Sequence, residues 1–362
     1  MKIKIEAIDT LFFKDGKPFS MGEETWADGI FPPPPSVIFG ALRSAYFSEH
    51  PAEFKLANSE NDPTKNLIIK SIYFSLGNDF YFPIPKDCVR IKNKKEKFAQ
   101  RLQVVDNNVL SNLNSNSRIL KLLCMITNEE VESIDDGIIF QSSLKRYLNG
   151  ERNNFPYSRI SDFVISEPKV GIGRENLTRS SSEGKLYRLG LKRLSEKKEF
   201  GKQMNTFSLI VEFEGLKLSN FGLLRLGAEN KPAKYSNIEN KYEFFSTDEL
   251  NSITDKEFLL YLLTPAFFKY GWKPDFNDHP LLRELEIELV SASIGKPILI
   301  GGFDMAKKVP KVMRKAVPSG SIYLLKSKSC RFSEIYNLLN GKSISDFNSK
   351  EGYGICLIGR IK

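Results

Sequence analysis

The residues of this chain whose types could do chemistry are mostly cations, and they cluster. Lys307, Lys308, Lys311, Arg314 and Lys315 put five basic residues into nine positions with no acid among them. Arg90 to Arg101 holds six basic residues and one acidic one. A polar run from Arg174 to Gly184 brings together Arg174, Asn176, Thr178 and Arg179, with three serines behind them. Ammonium and guanidinium groups suit phosphate, while hydroxyls and amides suit ribose and base edges. The net charge of +9 points to the same class of polyanionic partner.

Groups that would make or break bonds are scarce. The two histidines, His50 and His279, are far apart. His50 ends a helical pattern just before Pro51 and reads as a capping or surface residue; His279 lies in the turn composition Asn277-Asp278-His279-Pro280. No H-x-x-x-H, Walker A, G-x-S-x-G or metal-type carboxylate cluster occurs. Asp9, Asp15, Glu23 and Glu24 read as turn and surface acids. Gly171-Ile172-Gly173 begins like a dinucleotide fingerprint, but no third glycine and no helix follow. Cys88, Cys124, Cys330 and Cys356 form no C-x-x-C pair, so neither a disulfide framework nor a zinc site is expected, and Cys88 reads as the least buried. The expectation is a protein that is no enzyme and carries no cofactor or metal. No apolar run is long enough to span a bilayer and the first residues are unlike a signal region, so no membrane partner and a cytoplasmic location are expected.

The elements that must position these residues start at the N-terminus. Lys2 to Asp9 alternates polar and apolar, as a half-buried strand does. Pro32 to Pro35 form a stiff approach to Ser36, read as the N-cap of a helix from about Val37 to Phe47. Val37, Gly40, Ala41, Ser44 and Ala45 give it a small-residue face. Residues 86–118 read as a mobile basic loop or hairpin inserted in the first domain. Residues 118–125 and 139–148 read as two short helices. Val170 to Leu194 reads as two strands around the polar tip, with Leu189, Leu191 and Arg193 on one parity of the return strand. Phe207–Phe213 reads as a central strand, and Leu216–Leu226 as a short helix. Farther on come strands at Phe258–Phe268, Leu285–Val290 with Pro297–Phe303 as its partner, and Ile322–Leu325. A tight aromatic loop, Tyr270-Gly271-Trp272-Lys273-Pro274, lies between the first two; a helix at Ser333–Leu339 and a glycine-containing end follow the last.

Several stretches resemble one family. DTLFFKDGKPFSMGEETWADGIFPPPPSVIFGALRSAYF, VGIGRENLTRSSSEGKLYRLGLKRL, LLRLGAENKPAKY and IGGFDMAKKVPKVMRKAVPSGSIYLL occur in this order. Together they resemble the third subunit of the Cmr complex, a RAMP-superfamily branch of type III-B CRISPR effectors. The resemblance runs end to end but is thin between about 50 and 155. Gly352-Tyr353-Gly354 resembles the glycine-rich loop of RAMP proteins, although Arg360 stands where another glycine is expected.

The resemblance implies an α+β fold of two ferredoxin-like, RRM-like domains. The first would span 1–240, with an insertion at about 55–155 and the hairpin at 170–194; the second would span 241–362. It implies a non-catalytic, RNA-binding subunit in antiviral defence that anchors the 5′ handle of the guide (CRISPR) RNA. Its partners would be the large polymerase-like subunit and adjacent RAMP backbone subunits, with target RNA nearby. Residues expected at RNA are Arg43, Arg174, Asn176, Thr178, Arg179, Lys307, Lys308, Lys311, Arg314, Lys315, Gly352 and Gly354. Phe12, Phe13, Trp26 and Phe31 read as core. An alternative is a metal-independent RAMP endonuclease with His50 as its working group, and a third reading is a protein-only scaffold.

Overall fold

The computed structural model describes residues 1–14, 26–106, 121–175, 178, 180–194, 196–197, 205–240, 243–304 and 309–361. The fold is α+β and mostly sheet, with few helices. The chain groups into two compact units. The first holds residues 1–69, 161–238 and 299–315, and the second 70–160, 239–298 and 316–362. Residues 70–160 thus group with the C-terminal residues, where the sequence reading kept them in the first domain.

In the first unit, four strands lie side by side in the order Phe221–Arg225, Pro232–Asn237, Lys2–Ala7 and Asn205–Glu214, all antiparallel. The period-two pattern of Lys2–Ala7 buries Ile3 and Ile5 completely. The helix is Pro35–Glu49, so Ser36 falls inside its first turn and does not cap it. Proline is well suited to that first position, because its missing N–H has no helical partner there. The buried face is Ile38, Ala41, Leu42 and Ala45, with Gly40 and Ser44 facing solvent. This i, i+3, i+4, i+7 set includes the larger Ile and Leu that a small-residue reading passed over. The helix ends where His50 N–H bonds the Tyr46 carbonyl, and Glu49 accepts from Tyr235 OH at 2.7 Å, tying helix to sheet. Leu216–Leu226, expected as a helix, holds the edge strand Phe221–Arg225 instead. Phe12 and Phe13 are buried as expected.

The second unit contains two antiparallel assemblies. In one, Asp79–Pro83, Gly137–Phe140, Phe155–Arg159, Phe98–Arg101, Cys88–Ile91 and Val131–Ser133 follow one another. Of the two forms expected for 86–118, loop or hairpin, the hairpin is found: Cys88–Ile91 pairs antiparallel with Phe98–Arg101, while 107–118 lie outside the described residues. Three of its cations have acids beside them: Arg90 pairs directly across from Glu132 and bonds it, Lys92 meets Glu130 at 2.8 Å, and Lys94 meets Glu129 at 3.2 Å. Lys121–Cys124, expected as helix, is a strand paired with Gln103–Asp106. Cys88 is buried, not the least buried of the four cysteines.

The other assembly orders Ile287–Ser293, Ile322–Ser327, Glu257–Leu262 and Cys356–Arg360. Numbered by sequence, that is second, third, first, fourth. Ile287–Ser293 pairs with Ile322–Ser327, and not with the 297–303 segment as expected. Phe258 to Leu262 is a continuous apolar run because both its faces are covered; all five residues have zero exposure. Helix Phe332–Leu339 buries Phe332, Ile335 and Leu339. No described helix is long and apolar enough to cross a membrane.

Candidate nucleic-acid interface

The hairpin that carries the polar tip is built from Val164–Arg174 and Ser181–Leu194, antiparallel over almost its whole length. Its return strand alternates as the sequence implies: Leu189 and Leu191 are buried against Phe12, while Arg188 is exposed. The N-terminal segment adds two pieces to that strand. Leu11 pairs with Lys192, with backbone bonds of 2.8 and 2.7 Å, and Trp26–Asp28 runs parallel beside Arg188–Gly190.

Charge fixes the hairpin base. Arg193 donates to both oxygens of Glu167, at 2.5 and 3.2 Å, and reaches Asp9 at 3.5 Å. Lys231 approaches the other Asp9 oxygen at 3.4 Å. The Thr10 amide, together with these cations, holds the Asp9 carboxyl below its ordinary range. Each exposed pair contributes little alone, but the network joins hairpin, first strand and the Lys231 segment. Arg193, which shares the parity of Leu189 and Leu191, is exposed and serves this network.

At the tip, Arg174 is described in backbone only, opposite Ser181 after a register shift. Asn176 and Arg179 lie outside the described residues. Thr178 is exposed, and its hydroxyl meets Ser180 Oγ at 2.7 Å and Glu175 at 3.2 Å.

The basic segment of the first unit is an arm. Phe303–Asp304 pairs with Val309–Pro310, and the Lys311 amide bonds the Gly302 carbonyl. Lys307 and Lys308 lie outside the described residues. Lys311, Arg314 and Lys315 are exposed. So are Leu299, Phe303, Val309, Met313 and, at 80 % exposure, Val312. These apolar neighbours were not anticipated; their signal in the sequence is the alternation of Val and Met with Lys and Arg between 309 and 315.

Arg43 is engaged inside the first unit. Its Nε donates to Thr64 Oγ1 at 2.7 Å, and Nη2 donates to Asn58 and, at 2.6 Å, to Asp62. Burial alone would raise the Asp62 carboxyl. Hydrogen bonds from Thr64 and Asn58, with the Arg43 charge, outweigh it and hold the carboxyl low.

Gly352 and Gly354 belong to the second unit and are buried. The Gly354 amide donates to Pro265 and that of Gly352 to Ser349. A Cβ on Gly354 would lie 2.5 Å from the Ser345 nitrogen, so this glycine serves internal packing. Both amides are spent on carbonyls within the second unit.

His50 stacks on Tyr46 at 4.4 Å, with Nδ1 3.0 Å from the Tyr46 carbonyl. His279 is buried, and its Nδ1 accepts the Leu281 amide. Among the described residues no group of three or more metal-type ligands occurs.

A family model described as CRISPR-associated protein (Cas_Cmr3) matches residues 3–361. The chain belongs to the Cas_Cmr3 family. No curated protein matches it in sequence. Among solved structures it is similar to a chain of the type III-B Cmr-beta bound to cognate target RNA, with TM-score 0.51, 17 % identity and coverage of 90 % of this chain and 86 % of that one. A second such structure, with target RNA and AMPPnP, gives TM-score 0.50 at 16 % identity over the same shares. These likenesses bear on fold: the Cas_Cmr3 chain shares the architecture of those chains.

Proposed function

We propose that this Cas_Cmr3 protein is a non-catalytic, RNA-binding subunit of a type III-B CRISPR effector that anchors the 5′ handle of the guide RNA. The observation that carries the reading is the arm of the first unit. It exposes three described cations, Lys311, Arg314 and Lys315, beside five exposed apolar side chains. Cations hold the phosphates of a single strand, and apolar or aromatic side chains receive its unstacked bases. The hairpin tip, with Arg174, Asn176, Thr178 and Arg179, contributes polar contacts to the same strand or to target RNA beside it. Arg43 and the two glycines are engaged internally and carry little of the interface. Two ferredoxin-like domains form the frame; the second, third, first, fourth strand order in the second unit supports that part. The large polymerase-like subunit and adjacent RAMP subunits are the protein partners.

The test is binding of end-labelled guide RNA in a chelator, with RNA integrity followed in parallel and a scrambled 5′ handle as competitor. Uncut, handle-dependent binding is expected. Cut RNA would overturn the non-catalytic part and bring His50 forward. Intact RNA with no handle preference would favour a protein-only scaffold.

A further inference from the structure

Five consecutive residues in the second unit are exposed: Lys269, Tyr270, Gly271, Trp272 and Lys273. Their order is cation, ring, glycine, ring, cation. Tyr270 is 60 % and Trp272 37 % exposed, so two rings lie open on one short turn.

The turn is held rigidly from behind. The Gly271 amide bonds the Phe268 carbonyl at 3.2 Å, and Gly271 has φ of +97°. The Lys269 amide donates to Asp346 at 2.7 Å. The buried Tyr323 hydroxyl donates to the Trp272 carbonyl. Pro274 closes the turn into the core. These bonds, all made to the turn's backbone, fix where the two side chains start.

Each ring has its own cation. Lys269 Nζ is 5.2 Å from the Tyr270 ring centre, and Lys273 Nζ is 5.8 Å from that of Trp272. Two nearby acids are occupied with backbone. Asp346 takes the Lys269 amide, and one Asp275 oxygen takes the amides of Asn277 and Asp278. Asp278 and Asp275 both act on the Lys269 charge, after the Tyr270 side chain that Lys269 hydrogen-bonds.

Two partly exposed rings, each about 150–250 Å² when whole, fall well short of the roughly 800 Å² per partner of a stable protein interface. Two exposed rings two positions apart, each with a lysine beside it, suit a chain-like ligand that carries flat groups and charges in alternation. We propose that the Lys269–Lys273 turn is a stacking platform for single-stranded RNA, taking bases on Tyr270 and Trp272 and phosphates on Lys269 and Lys273. The proposal rests on the RNA-binding reading and adds to it a sequence-tolerant site in the second unit.

The chain has two tryptophans, Trp26 and Trp272, so Trp26→Phe isolates the platform's indole. The probe is a single-stranded oligouridine of about a dozen nucleotides, titrated into full-length Trp26→Phe protein. Saturable quenching is expected, with none from duplex RNA of equal length. In the otherwise native chain, Tyr270→Ala and Trp272→Ala each weaken oligouridine binding about tenfold, and Trp272→Phe keeps most of it. Melting curves check that the variants fold. Unquenched fluorescence with undiminished affinity in the double alanine variant would overturn the platform and leave the RNA-binding reading standing. Failure of the native chain to bind any RNA would remove both. Intact RNA affinity with loss of a co-assembling protein chain would overturn the platform and assign the turn to a protein interface.

Discussion

Gly29 and Gly190 meet backbone to backbone. The Gly29 amide donates to the Gly190 carbonyl at 3.1 Å, and a Cβ on Gly29 would sit 2.3 Å from that oxygen. This approach seats the N-terminal segment on the return strand of the long hairpin. No rotamer relieves a clash between a Cβ and a carbonyl, so Gly29→Ala must push the two segments apart. A loss of about 1–3 kcal/mol is expected, with faster hydrogen exchange at Arg188–Gly190 and unchanged exchange in the second unit.

Arg43 and Asp62 predict a stability effect separable from binding. Asp62→Ala leaves a guanidinium about one-quarter exposed without its carboxylate, and a loss of about 2–3 kcal/mol is expected. Arg43→Ala should lower the melting temperature likewise while leaving the salt dependence of RNA binding unchanged. A shallower salt slope would mean that Arg43 reaches a phosphate. Because hydrogen bonding holds the Asp62 carboxyl low, its contribution is complete above its ordinary 3.8 and is lost as pH falls below that value.

In the second unit Asp87, Arg101 and Tyr147 form a buried group. Arg101 Nε donates to Asp87 at 2.9 Å, the Tyr147 hydroxyl donates to it at 2.6 Å, and the guanidinium lies over the Tyr147 ring. Tyr147→Phe removes one bond to a charged acceptor, at a cost of about 1.5–3 kcal/mol. Asp87→Asn leaves the Arg101 charge buried without a counter-ion, at about 3–5 kcal/mol. Urea melts should rank the two in that order; equal losses would contradict the ion-pair account.

Burial holds the His279 ring below the ordinary 6.5 against the opposing pull of Asp346 and Asp275. The folded state therefore favours neutral imidazole, as the bond from the Leu281 amide to Nδ1 requires. Stability is full above pH 6.5 and falls as pH drops below it, because the unfolded chain takes up the proton first. The melting temperature should fall between pH 7.5 and 5, and His279→Asn should flatten that part of the profile.

Local pattern made some of this legible. Lys2–Ala7, the helix after the prolines and the hairpin all announce themselves by period or by turn residues. What eluded the sequence was pairing at a distance. Arg90, Lys92 and Lys94 look like a solvated basic loop until Glu132, Glu130 and Glu129 are placed opposite them. Lys121–Cys124 is a short apolar run, which periodicity cannot assign to helix or strand. Lys311 and Lys315 were read for charge alone; only the fold shows Phe303 and Val312 exposed beside them.

The most direct test of the account is the salt dependence of guide-RNA binding by the native chain and by a Lys311→Ala, Arg314→Ala, Lys315→Ala variant. If the arm holds phosphates, the slope of log affinity against log salt should fall by about 2, since each phosphate that a cation neutralises on a single strand is worth about 0.7. The melting temperature should not change. Equal affinity and equal slope for the two proteins would contradict the arm as the RNA-binding surface.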